Sequence, residues 1–172
     1  MSGPAIVVMG VSGTGKSTVG QPLAEALGAR FIEGDDHHPP ANRKAMEEGI
    51  PLNDAMRAPW LDSIAADMAE GPGMVVATCS ALKRTYRDRL REGVGRPVLF
   101  VLLDGARGLL AQRMSGRSHF FPASLLDSQI ATLEPPDVDE MAVRIDVKNP
   151  PEVVMREALA FARAQGVSVP GG

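Results

Sequence analysis

Ala5-Ile-Val-Val-Met9 runs directly into Gly10-Val-Ser-Gly-Thr-Gly-Lys-Ser17. The first five residues are apolar and rich in β-branched side chains, the pattern of a parallel strand covered on both faces. The next eight match G-x-x-x-x-G-K-[ST] at every defined position, directly after a strand and at the start of a helix. Glycines there let backbone N–H groups turn inward around phosphate oxygens, and the helix N-terminus adds positive potential. The expected phosphate cradle of an ATP site comprises Gly10, Val11, Ser12, Gly13, Thr14, Gly15 and Thr18. Lys16 is expected to reach the β- and γ-phosphates, as a catalytic group, and Ser17 to ligate Mg²⁺. Neither N-K-x-D nor D-x-x-G occurs, which argues against a guanine-nucleotide switch. A non-catalytic nucleotide-binding module remains the alternative of a different class.

Outward from this loop, apolar runs and helical stretches alternate. A helix is predicted from Lys16 to Leu27, closed by Gly28. Arg30–Glu33 reads as a short second strand. Short and long helices follow at about 41–48 and 54–70, and the apolar run in 73–78 is a third strand. Lys83–Glu92 is a charged helix and Val98–Leu103 a fourth strand. Helices are expected at 106–114 and 123–133, a fifth strand at 142–147 and a last helix at 151–165. Such alternation predicts an α/β fold with a parallel sheet covered on both faces.

The chain has 172 residues, enough for one domain spanning 1–172 with a full core, and residues 167–172 are expected to fray. A net charge of −3 argues against nucleic acid as a partner, because phosphate backbones need a basic face. The single cysteine, Cys79, excludes an internal disulfide and fits a reducing cytoplasm. No apolar run approaches the roughly 20 residues of a membrane span, and the N-terminal run is too short for a secretory leader.

The second strand ends Glu33-Gly-Asp-Asp-His-His-Pro39. Glu33 and Asp35 stand one residue apart, so both carboxylates point to one side of an extended chain. Asp35 is the candidate general base for an acceptor hydroxyl. Glu33 is the candidate to hold a water on Mg²⁺. His38 is placed to bond substrate, whereas His37 is expected to face solvent.

Longer blocks then become specific. Gly34-Asp35-x-x-His38-Pro39 is followed by Asn42 and by Gly49-x-Pro-Leu-Asn-Asp54-x-x-Arg57-x-Pro-Trp-Leu61. Cys79-Ser-Ala-Leu-Lys83-x-x-Tyr-Arg-Asp88-x-Leu-Arg91 follows, and then His119-Phe-Phe121 with Leu126, Ser128-Gln129 and Thr132-Leu-Glu134. Together they resemble the gluconate kinase family over roughly three-quarters of the chain. Glu33 departs from the aspartate that many relatives carry, but keeps the carboxylate.

That resemblance implies a sheet in order 2-3-1-4-5, a short lid over about 115–122, ATP and Mg²⁺ as cofactors, gluconate as acceptor and a cytoplasmic homodimer. A kinase for another hydroxy acid, such as shikimate, is the runner-up. Gluconate is a polyhydroxy carboxylate, and binding it calls for a cation and several hydrogen-bonding groups. Arg57, Lys83, Arg84, Arg87, His38 and His119 are the candidates, with Arg57 suited to a bidentate carboxylate pair. Arg113 and Arg117 are expected in the lid, Arg113 on ATP and Arg117 on the charge of the moving phosphoryl group. Trp60 and Leu61 are expected to pack beneath the acceptor site. By fold-level analogy, Lys148-Asn-Pro150 neighbours the adenine.

Overall fold

The computed structural model describes residues 3–115 and 123–167. Residues 116–122 of the expected lid, with Arg117, His119, Phe120 and Phe121, lie outside the described residues, as do residues 168–172 of the tail. Val167 itself is buried, and its N–H bonds the carbonyl of Ala162, so the chain is still anchored at that point.

Five strands form one sheet: β1 (Ala5–Met9), β2 (Arg30–Glu33), β3 (Val75–Thr78), β4 (Val98–Asp104) and β5 (Ala142–Asp146). Their order is β2-β3-β1-β4-β5 and every pairing is parallel. β1 is central: Val7 lies between Ala77 of β3 and Phe100 of β4. All five β1 residues are buried, which is why the run carries no polar alternation. The helices among the described residues are α1 (Lys16–Leu27), α2 (Pro40–Glu47), α3 (Asp54–Ala69), α4 (Arg84–Val94), α5 (Arg107–Ser115), α6 (Ala123–Thr132) and α7 (Pro151–Ala164). α1 packs with α7, and α3 packs with α4.

One short element was not foreseen. Gly34–His37 forms a 3₁₀ turn at the end of β2. Gly34 is forced there by close approach, because a Cβ would sit 1.9 Å from the carbonyl oxygen of Thr78. This contact draws Asp35 and His38 over the end of β3. A similar constraint fixes Gly10, where φ is +144° and a Cβ would meet the Leu103 carbonyl at 2.5 Å.

Candidate active site

The turn after β1 and the start of α1 line a cavity of about 510 Å³ at the carboxyl ends of the strands, where ligands bind in parallel sheets. Ser12, Gly13, Gly15, Lys16, Ser17 and Thr18 form its floor. Lys16 Nζ donates to the carbonyls of Gly10 and Val11 at 3.1 and 3.2 Å. Thr14 is buried and closes the loop on itself, its hydroxyl donating to Val11 O at 2.8 Å. Val11 is buried as well, so its side chain supports the loop from beneath.

Glu33, Asp35, His38 and Arg57 line the same cavity. Glu33 is held twice: Ser17 Oγ donates to one carboxylate oxygen and Thr78 Oγ1 to the other, both at 2.5 Å. Thr78 in turn accepts from Gly34 N at 3.1 Å. The Ser17 hydroxyl and the Glu33 carboxylate are therefore adjacent oxygen donors. Asp35 is well exposed, its side chain open to the cavity mouth.

His38 is buried and stacks on Trp60, with ring centroids 4.2 Å apart and an interplanar angle of 11°. Trp60 Nε1 donates to Gly34 O at 2.8 Å, so the indole pins both the histidine and the turn that carries Asp35. The Asn42 amide donates to Met56 O at 2.9 Å and pairs with His38 Nδ1 at 3.1 Å. Its NH₂ group has no lone pair to offer, so His38 Nδ1 accepts and the ring proton sits on Nε2. That Nε2 lies 4.0 Å from Asp35 Oδ1. Burial pushes His38 down to about 4; the Asp35 charge opposes this, and Arg43 and Arg57 reinforce it.

The remaining cations predicted for the acceptor separate. Arg57 lines the cavity, whereas Lys83 stands outside its wall and bonds Asp54 at 3.3 Å. Arg84 points the other way, with its guanidinium forked onto Asp139 and bonded to Asp137 and Asp88. Arg87 is the clear correction. It is fully buried, bonds Glu140 through two nitrogens and donates to the carbonyl of Ala81, so it cannot meet a ligand. Arg91 also reaches Glu140. His37 is likewise engaged, bonding Ser63 and Asp67 rather than facing water alone. Arg113 lies on α5, ahead of the lid span, and donates to Val147 O at 2.6 Å.

Two features were not assigned from sequence. Gln129 of α6 accepts from Ser12 N at 2.7 Å and lines the cavity, together with Ser128 and Leu125. The Ser128-Gln129 pair stood out as a motif, but nothing local tied it to the P-loop. A second cavity of about 230 Å³ adjoins the other side of that loop. It is lined by Gly13, Thr18, Arg113, Val147, Asn149 and Val154, among others. The Lys148–Pro150 reading thus places Asn149, rather than Lys148, beside the nucleotide loop.

A parallel sheet in this order, a P-loop after its central strand and a carboxylate wall facing that loop define a P-loop kinase of small molecules. Comparison with known proteins narrows the class. The profile of the AAA domain matches residues 6–136. The gluconokinase of Gluconobacter oxydans is 50% identical over 165 residues, covering 93% of this chain and 92% of its own. The thermosensitive gluconokinase of Escherichia coli is 44% identical, over 87% and 82% of the two chains. The crystal structure of a gluconokinase from Sinorhizobium meliloti superposes with a TM-score of 0.88 at 50% identity, covering 94% of this chain and 93% of that one. The chain belongs to the gluconokinase family.

Proposed function

We propose that the protein transfers the γ-phosphoryl group of ATP to D-gluconate, giving 6-phospho-D-gluconate and ADP. The observation that carries this reading is the convergence on one cavity of Lys16 and Ser17 with Asp35, His38 and Arg57. The P-loop amides and Lys16 bind the phosphates. Asp35 accepts the proton of the acceptor hydroxyl, which removes the charge that would otherwise build on the nucleophile. Its exposure at the cavity mouth suits a group that must meet an incoming substrate. His38, locked as the Nε2–H tautomer, donates to a hydroxyl of the acceptor. Arg57 takes the acceptor carboxylate.

Oxygen donors at Ser17 and Glu33 fit a hard divalent cation, and Mg²⁺ characteristically combines few protein oxygens with nucleotide phosphates. When bound, Mg²⁺ supplies charge neutralisation on the phosphates. The second cavity, beside Arg113 and Asn149, fits the base and ribose of the same nucleotide. Arg117 and His119 belong to this reading through their motif, Arg117 as the cation over the moving phosphoryl group and His119 on the acceptor. No helix among the described residues is long and apolar enough to cross a membrane, and we place the protein in the cytoplasm as a homodimer, without a nucleic-acid partner, on the family's pattern.

The test is an ADP-release assay with MgATP across gluconate, shikimate, glycerate and nucleoside monophosphates. Gluconate gives the highest kcat/KM. Better turnover of shikimate or a nucleotide by the same preparation rejects the assignment, and ATPase activity independent of any acceptor favours the nucleotide-binding module.

A further inference from the structure

Tyr86 has no place in the reading above, yet it is wired directly to the cation that anchors the acceptor. It is buried in the first turn of α4, against α3. Its hydroxyl donates to Asp54 Oδ1 and accepts from Arg57 Nη1 at 2.9 Å. Asp54 also takes Lys83 Nζ at 3.3 Å. The phenol ring lies beside both cations, 5.3 Å from the Arg57 guanidinium carbon and 5.6 Å from Lys83 Nζ. Asp54 and Arg57 share the first turn of α3, which Asn53 caps by accepting from Met56 N at 2.8 Å.

A phenol has one proton and lone pairs to spare. Donation to Asp54 commits the proton, which turns the lone pairs toward Arg57. The Asp54 carboxylate is held ionised, its value lowered first by the Tyr86 hydrogen bond and then by Lys83. Among the described residues, Tyr86 receives the only hydrogen bond that the Arg57 side chain makes. An arginine has five N–H donors, so one bond to Tyr86 fixes the plane and leaves donors for a carboxylate.

We infer that Tyr86, oriented by Asp54, is a positioning residue that holds the Arg57 guanidinium ready for the acceptor's carboxylate. This rests on the assignment of a carboxylate-bearing acceptor to the Arg57 face. Without the phenol oxygen, Arg57 is ordered only when substrate binds, and that ordering weakens binding rather than slowing chemistry.

The experiment compares wild type with Tyr86→Phe, which removes one oxygen and keeps the ring. Gluconate KM, ATP KM, kcat and thermal midpoint are measured for both. The expected result is a rise of roughly 3- to 10-fold in gluconate KM, with kcat and ATP KM within twofold of wild type. Asp54→Asn, which weakens the acceptor of the phenol proton, shifts gluconate KM in the same direction. A Tyr86→Phe enzyme with unchanged gluconate KM overturns the role. So does a variant in which kcat and midpoint fall while ATP KM rises together with gluconate KM, because that marks a general packing contribution. Wild-type enzyme that does not phosphorylate gluconate overturns the function itself, an outcome separate from either.

Discussion

Arg87 and Glu140 meet in the interior with both side chains fully buried, Nε to Oε1 at 2.7 Å and Nη2 to Oε2 at 3.1 Å. The third nitrogen of the same guanidinium donates to Ala81 O at 2.9 Å. Ala81 holds φ at +45°, a left-handed conformation that costs a non-glycine residue energy and persists only when its surroundings impose it. The preceding residue, Ser80, lines the cavity, and its carbonyl accepts from Gly10 N at 3.3 Å. Arg87 therefore clamps the turn behind the P-loop to the segment that follows α6.

Replacing Arg87 with methionine keeps much of the volume but breaks that clamp. Removing one member of a buried pair costs about 3 kcal/mol. Urea unfolding of Arg87→Met should show a loss of that size. A variant of wild-type stability with a greatly raised gluconate KM would return Arg87 to the substrate site.

Glu140 makes the same clamp sensitive to acid. Burial pushes its carboxyl up, but hydrogen bonds from Arg87 and Arg91 outweigh this and hold it at about 2. A carboxyl depressed on folding adds stability that is full above its ordinary value, about 4.5, and is lost as pH falls through the folded value. The stability gap between wild type and Glu140→Gln should be full at pH 6 and should close between about pH 4.5 and 2. A gap independent of pH would contradict the clamp.

His38 titrates in a different window. Its folded value, about 4, lies below the ordinary 6.5, so the unfolded chain takes up a proton first. The contribution to stability is full above 6.5 and disappears as pH falls through about 4. Nitrogen-detected NMR should find the His38 proton on Nε2, with no titration between pH 8 and 5. A midpoint near 6.5, or a proton on Nδ1, would remove the Asn42 lock and with it the proposed donor to the acceptor.

The parts legible in the sequence are those whose cause is local. β1, the P-loop and α1 are fixed by a contiguous apolar run and a glycine pattern, and α1 runs over the very residues anticipated. The gathering of Asp35, His38 and Arg57 around one cavity was legible because motif spacing binds them to the end of β2 and the start of α3. Arg87 was misread for the opposite reason. Its partner lies 53 residues away, on a segment whose path no periodicity reveals. Arg87 looked ligand-facing because Glu140, the residue that pairs with it, carries no sequence signal of its own. Gln129 was hidden likewise, 117 residues from the Ser12 amide it caps.

Arg117 carries the lid part of the proposal. Arginine at a phosphoryl transition state contributes roughly 10³-fold or more to turnover. Arg117→Ala should lower kcat on that scale while gluconate binding without nucleotide changes little. Equilibrium titration beside steady-state kinetics checks both halves, and an unchanged kcat would place Arg117 on the solvated surface.

The central claim is that the acceptor hydroxyl meets the γ-phosphoryl group beside Asp35. Its most direct test is a single-turnover reaction with MgATP and gluconate, followed by product identification, for wild type and Asp35→Asn side by side. Asparagine keeps size and hydrogen bonding but accepts no proton at neutral pH. Wild type should yield 6-phosphogluconate, and the rate in Asp35→Asn should fall by about 10² to 10⁴-fold with ATP affinity unchanged. A variant that forms 6-phosphogluconate at the wild-type rate would contradict the account and move the search for the base to Asp36.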